Sequence, residues 1–347
     1  MTPLTPKEQG FTFPAEWEPH RATWLSWPHK EASWPGKIQS IYPNYTHFIK
    51  LVSEGERVCI NVADSQMQVH VTEWLKKAQV NLSQIDFFHF PTNDAWCRDH
   101  GPAFLVNRQE GKKAVIDWGY NAWGDKYPPY DLDDVIPTKI AKALKLPLFV
   151  PGIVMEGGSV EFNGKGSLLT TRACLLNTNR NPHLTQGEIE RYLSEFYGIN
   201  HILWLGDGII GDDTDGHIDD LVRFVNPSTV VTVVEENLND ENYEILQKNL
   251  KDLAGMRLES GQQLNIVELP MPKPVLYEGQ RLPASYANFY ISNKYVVVPT
   301  FRDLYNDDKA LHILETLFTD RKVVGIDSTD IIWGLGSFHC LSQQEPL

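Results

Sequence analysis

Five times along this chain a short polar cluster gives way to a strand-like run: RDHGPAFLV (98–106), EGGSVEF (156–162), GHIDDLVRFV (216–225), NFYISNKYVVV (288–298) and GSFHCLS (336–342). HRATWLSW (20–27) reads as a leading partner for the series. The intervals are roughly 50–75 residues, close to the repeat lengths of propeller-like arrays. In such an array each unit buries its apolar face against its neighbours, and the polar clusters are free to converge on a central axis.

The segments between the clusters supply the rest of an α/β chain. Ile38, Ile41, Tyr42, Tyr45, Phe48, Ile49 and Val52 follow helical 3,4 spacing, with Pro43 expected near a helix start or a kink. Thr185 and Glu188 form a capping-box pattern ahead of Ile189, Tyr192, Leu193 and Phe196. Apolar faces recur at 243–253 and 311–318. The β-branched runs RVCINV (57–62), TVVTVV (229–234), YVVVP (295–299) and KVVGI (322–326) read as buried strands. The turn-rich YNAWGDKYPPYDLDD (120–134) is expected to be a long ordered loop. With no linker or low-complexity tract, residues 1–347 are expected to form one domain.

Charge narrows the partners. The 45 acidic and 31 basic side chains leave a net charge of −14, which argues against nucleic acid or an anionic membrane and favours a small cation. The N-terminal residues lack the basic start, apolar stretch and cleavage site of a signal peptide. No apolar run is long enough to span a bilayer. Cys59, Cys97, Cys174 and Cys340 form no CxxC pair, which suits a reducing compartment and excludes a cysteine-based zinc site. A cytoplasmic enzyme is expected.

Each cluster has a chemical and a bland reading. GDDTDGHIDD (211–220) holds five aspartates and a histidine, carboxylates that repel one another unless a cation joins them. Aligning Gly216 with the turn glycine of a calcium loop puts Gly211 and Val222 at ligand positions, so an EF-hand is excluded. Read as a strand, 216–224 puts His217 and Asp219 on one face and Asp220 on the other. The bland alternative is a solvated turn. WCRDHGP (96–102) offers Asp99, or else a structural Arg–Asp pair. Glu156 precedes two glycines that permit a tight turn or close approach to a ligand. In GLGSFHCLSQQ (334–344), Cys340 sits among Gly, His and Gln, unlike Cys59, Cys97 and Cys174, which read as packing residues.

Together the clusters hold a candidate nucleophile, an acid/base and three or more carboxylates, without a Walker loop, GxGxxG, GxSxG or HExxH. One thiol with several carboxylates suits attack on a cationic carbon, and a guanidinium is the natural candidate.

The stretches FPAEWEPHRATWLSWP (13–28), WCRDHGP, NAWG, MEGGSVEFNGKGSLLTT, CLLNTNRNPHL, GDDTDGHIDDLVRFVN, ANFYISNKYVVVPTF and HCLSQQEP (339–346) resemble, in order, the agmatine deiminases. With the bacterial peptidylarginine-deiminase-like proteins, these belong to the guanidine-modifying pentein superfamily. The resemblance implies an α/β-propeller of five ββαβ-type modules around a pseudo-fivefold axis. It implies hydrolysis of agmatine to N-carbamoylputrescine and ammonia, a step of polyamine and putrescine biosynthesis, with no metal or organic cofactor. It further implies Cys340 as nucleophile, His217 as acid/base, Asp99 and Asp219 as guanidinium clamps, Glu156 as support for substrate or His217, and Trp96 as a pocket wall. Asp213 and Asp125 are the further carboxylates expected to meet substrate. Asp125 stands where a glycine is common and is expected to attract a distal amine. Leu335 and Phe338 interrupt a glycine run and are expected to narrow the pocket mouth. A homo-oligomer is left open.

Three rivals remain at this point. Deimination of free or peptidyl arginine requires a base for a carboxylate, for which Arg98 and Arg223 are candidates. A metal-dependent hydrolase would use His100, His217, Asp99 and Asp219 as ligands. A non-catalytic guanidinium binder would release no ammonia.

Overall fold

A computed structural model of the chain describes residues 4–347; residues 1–3, the start of the stretch read for a signal peptide, lie outside it. Among the described residues, five modules share one plan: an antiparallel strand pair, a helix, and a third strand parallel to the second. Ala103–Asn107, Lys112–Ile116 and Leu148–Phe149 form one, around helix Ile136–Leu144. Val160–Phe162, Ser167–Thr171 and His201–Leu205 form the next, with helix Gln186–Tyr197. Val222–Asn226, Thr229–Val234 and Asn265–Pro270 follow, with helix Tyr243–Gly255. Tyr290–Ile291, Tyr295–Thr300 and Lys322–Asp327 follow in turn, with helix Leu304–Leu317. A parallel pair needs a crossover, and each helix supplies it.

The fifth module joins the two ends of the sequence. The last strand, Ser342–Pro346, pairs antiparallel with His20–Ser26, which pairs in parallel with Arg57–Val62 across helix Ile38–Ser53. A second crossover helix, Ser65–Lys77, adds Ile85–His89 at the edge. HRATWLSW is thus the partner of the final strand, and the ring closes through it.

Local chemistry explains these elements. Val230, Val231 and Val233 are fully buried on a strand covered on both faces, each worth about 1.5–3 kcal/mol of burial. Both bonds of the Thr185–Glu188 capping box are made. Pro43 falls in the second turn of its helix. The 120–134 stretch is ordered, with a turn of positive φ at Ala122–Asp125 and a single helical turn at Asp131–Asp134. The strand expected over 216–224 begins only at Val222. Gly216 has φ 100° and Ile218–Asp220 form a 3-10 turn, because Asp219 and Asp220 reach sideways to neighbouring modules rather than along a ladder.

Immediately before each module's first strand lies a polar turn, and the five turns meet. The Arg98 amide donates to the Cys340 carbonyl (3.1 Å), and the Gly158 amide to Asp99 Oδ1 (2.9 Å). Gly158 abuts His217, Ser285 Oγ donates to the Asp220 carbonyl (2.7 Å), and the His339 amide donates to the Asn288 carbonyl (3.2 Å). The ring of turns is complete, and it brings the sequence clusters together. No helix among the described residues is long and apolar enough to cross a membrane.

Candidate active site

At this ring Cys340, Asp99, Asp219, His217 and Glu156 come together, all buried. Above them opens a pocket lined by Trp96, Asp99, Trp123, Asp213, Leu335 and Cys340, among others. Trp96 forms its wall, stacked on Trp34 with ring centroids 5.2 Å apart.

Two glycines make the approach of the groups possible. A Cβ on Gly158 would lie 2.6 Å from His217 Nδ1 and 2.9 Å from Asp99 Oδ1. One on Gly336 would lie 2.7 Å from the Trp96 ring and 2.9 Å from Cys340 Cβ. Neither position has room for a side chain.

Cys340 is flanked by acceptors and one amide. Its thiol lies 3.5 Å from Asp219 Oδ2, and Asn288 Nδ2 lies 3.0 Å from the sulfur. Burial first, then the charges of Asp219, Asp220 and Asp99, push the thiol well above its ordinary pKa, so the ligand-free site holds a thiol. Asp219 Oδ2 also meets His339 Nδ1 at 2.6 Å, while His339 Nε2 meets Glu16 Oε2 at 2.8 Å. Burial works to raise Asp219, but the bond and charge of His339, with His217, hold it low and ionised. Glu16 also takes Arg223 Nη2 at 2.8 Å.

Asp99 accepts from the Gly158 amide and from the Trp123 indole (3.0 Å). Burial, opposed by His217 and aided by Asp219 and Glu156, pushes it up to about 6. His217 lies with Nδ1 3.8 Å from Asp99 Oδ1. Burial pulls its pKa down, but Asp99, Cys174 and Asp219 outweigh that and raise it well above the ordinary value. Glu156 Oε1 accepts from Arg180 Nε at 2.6 Å. Both His217 nitrogens, Glu156 Oε2 and Asp219 Oδ1 are buried without a protein partner. Four such atoms at one point mark a place built for a ligand.

The remaining sequence candidates divide. Asp213 lines the pocket and accepts from the Tyr127 hydroxyl, and burial raises its pKa. Asp125 is absent from the lining and accepts from Tyr130 at 2.5 Å among exposed groups, so its expected place beside substrate is corrected. Leu335 lines the pocket, whereas Phe338 is buried against Phe48 (5.0 Å) and does not narrow the mouth. The hydrophobic contact available below the ring outcompeted any exposed position for that aromatic side chain.

Arg98 and Arg223, the candidate anchors for a substrate carboxylate, do not line that pocket, and Glu16 lies 3.6 and 2.8 Å from them respectively. Arg98 bonds Gln344 and the His339 carbonyl; Arg223 bonds Glu161, Glu16 and two backbone carbonyls. Cys174, expected to be a packing residue, is fully buried in an apolar cluster, and it also lies beside His217: the ligand atoms of Glu156, Cys174 and His217 all fall within 4.8 Å of one another. Among the described residues this is the one such group, and His100 is outside it. His100 is buried, with its pKa lowered to about 4 chiefly by burial.

Sequence reasoning missed Trp123, Asn288, His339, Glu16 and Arg180. NAWG carried a local signal for Trp123, whose φ of 57° is unusual for an aromatic residue. The others are recognisable only through contacts far apart in sequence.

The model of the Porphyromonas-type peptidyl-arginine deiminase family matches residues 12–346. The agmatine deiminase of Ectopseudomonas mendocina is 35% identical, covering 100% of this chain and 99% of that protein. The structure of the Enterococcus faecalis agmatine deiminase, described as catalysing its reaction, superposes with a TM-score of 0.91 at 34% identity, over 100% of this chain and 98% of that one. A substrate-bound cysteine-to-serine form of the C. jejuni agmatine deiminase superposes with a TM-score of 0.87 at 35% identity, over 96% of each chain. The α/β pentein fold expected from the sequence is borne out by these superpositions and by the five modules.

Proposed function

The chain belongs to the Porphyromonas-type peptidyl-arginine deiminase family, and from that premise we propose that it is an agmatine deiminase. It hydrolyses agmatine to N-carbamoylputrescine and ammonia. The observation that carries the choice of substrate is the charge around the pocket. Asp99 and Asp213 line it, while Arg98 and Arg223 are engaged below the ring and Lys30 is paired with Asp94 at 3.2 Å. A decarboxylated guanidine with a distal amine suits that field; Lys30, in its pair with Asp94, is the one cation among the pocket's lining residues for the carboxylate of arginine to meet.

The roles follow from chemistry. Asp99 and Asp219 accept the guanidinium N–H groups, with Asp219 Oδ1 unpartnered in the ligand-free site. The arriving cation offsets the carboxylates that hold Cys340 protonated, and the thiol proton is released to solvent. The thiolate attacks the guanidinium carbon. Protonated His217 gives its proton to the departing nitrogen, which leaves as ammonia, and a thiouronium remains on Cys340. Neutral His217 then takes a proton from water as hydroxide adds to that carbon. Collapse expels the sulfur, which regains a proton from the new hydroxyl, and the ureido product departs. Glu156, held by Arg180, supports His217; Trp96 and Trp123 wall the guanidinium plane; Asp213 receives the distal amine. The five modules act as one domain in the cytoplasm, the setting that four free cysteines suit.

Ammonia release in excess EDTA, from agmatine, free arginine and an arginyl peptide in parallel, tests the reading. Release from agmatine alone supports it. Turnover of the peptide with silence on agmatine would overturn the substrate, and release abolished by EDTA would overturn the mechanism.

A further inference from the structure

The group formed by Glu156, Cys174 and His217 has a property that deimination does not use. Its three donors are a carboxylate, a thiol and an imidazole, drawn from three segments and all within 4.8 Å of one another. Each is almost wholly excluded from solvent, at 0%, 0% and 1% exposure respectively. Glu156 Oε2 and both His217 nitrogens lack any protein partner. The surroundings hold the donors in place. Arg180 fixes the other Glu156 oxygen, and the Thr171 hydroxyl caps the turn bearing Cys174 while donating to the Gly216 carbonyl, one residue before His217.

We propose that Glu156, Cys174 and His217 form an inhibitory site for Zn2+, against the expectation from cysteine spacing, since a single thiol completed by a carboxylate and an imidazole needs no CxxC pair. Tetrahedral zinc with bonds of about 2.0–2.3 Å sets its donors roughly 3.3–3.8 Å apart, so small side-chain adjustments close this group around the ion. A thiolate and an imidazole favour zinc or cobalt over magnesium and calcium. Three protein donors leave a fourth position for water. Binding expels the Cys174 proton and any proton on His217, with no change of oxidation state. None of the three donors lines the substrate pocket, but Asp99, which does, lies 3.8 Å from His217, so an ion entering by that pocket has one side chain to pass. Arg180 repels it, but that charge is already shared between Glu156 and Asp215. A metal-bound His217 has no lone pair with which to move protons, so turnover stops. This consequence rests on the acid/base role proposed above; the site itself does not.

The test is a Co2+ titration of the reduced, full-length protein without substrate, followed by absorbance. A sulfur-to-cobalt charge-transfer band with the visible bands of tetrahedral cobalt is expected. The band should persist in Cys340→Ser, vanish in Cys174→Ala and be displaced by Zn2+. In parallel, Zn2+ should suppress ammonia release reversibly to EDTA, and Cys174→Ala should need at least about 100-fold more zinc relative to its own metal-free rate. A band lost in Cys340→Ser, or no band in the wild type, overturns the site. If Cys174→Ala does not fold, the wild type and Cys340→Ser still decide the matter. Cobalt absorbance needs no turnover, so a failed deiminase assay and a failed metal site are separable.

Discussion

The Cys340 thiol lies 3.5 Å from Asp219 Oδ2, and both groups are buried. A carboxylate against a nucleophile is a poor way to make a standing thiolate, since it raises the cost of the second negative charge. It is a good way to wait for a cation. In the proposed mechanism Asp219 serves both the sulfur and the guanidinium, so substrate recognition and nucleophile activation become one event.

Cys340 is held well above its ordinary pKa by burial and by Asp219, Asp220 and Asp99. Thiolate absorbance in the ligand-free protein should therefore be absent at pH 7, and alkylation by iodoacetamide should be slow there and rise steeply with pH. A thiolate titrating below pH 7 contradicts substrate-recruited activation.

His339 is clamped between Asp219 and Glu16, at 2.6 and 2.8 Å. His339→Ala leaves two buried carboxylates without that partner, a loss on the order of 3–5 kcal/mol in denaturant unfolding. His339→Gln, which retains donors, should recover part of the stability yet still show a raised KM, because Asp219 is no longer aimed. Full activity in His339→Ala would remove this role.

Asp213 and Asp125 separate by position. Asp213→Asn should raise the KM for agmatine by roughly 10–100-fold, the cost of a charge-assisted bond of ~1.5–3 kcal/mol, with little effect on a butylguanidine that lacks the amine. Asp125→Gly should leave the KM within about twofold; its φ of 61° suits glycine without strain. Steady-state kinetics on both guanidines checks the pair.

Asp220 carries a pH signature. Burial and the nearby Asp219 raise its pKa well above the ordinary value, while Asn288 donates to it at 2.9 Å. A raised folded-state pKa contributes stability that is full below the unfolded value near 4 and is lost as pH rises through the folded one. Asp220→Asn removes that loss. Thermal unfolding should show the variant gaining on the wild type as pH increases; a constant gap would contradict the assignment.

How much of this was legible in the sequence depended on range. The capping box at Thr185 and the strand at 229–234 rest on signals within a few residues, and both are found where the pattern put them. The recurrent clusters marked the five turns correctly, because each polar turn directly precedes its own strand. The backbone around Asp219 was open to two readings, a strand from 216 or a turn, and the partner that Asp219 meets in the turn, His339, lies 120 positions away. Glu16 and His339 stand in stretches that the sequence singled out, but nothing near either shows that they meet, 323 positions apart. Asp125 misled for the opposite reason: a carboxylate in a plausible motif had a nearby tyrosine to bond. Cys174 looked apolar from its neighbours in sequence, and only the fold brings His217 against it.

In the proposed mechanism carbon–nitrogen cleavage passes through a covalent bond to Cys340. The measurement is the intact mass of acid-quenched enzyme during agmatine turnover in EDTA, with peptide mapping of the adduct. A transient species heavier by agmatine less ammonia should appear on Cys340 and be absent from Cys340→Ser, which should lose roughly three orders of magnitude or more in kcat. Sustained turnover by Cys340→Ser, or an adduct on any other side chain, would contradict it.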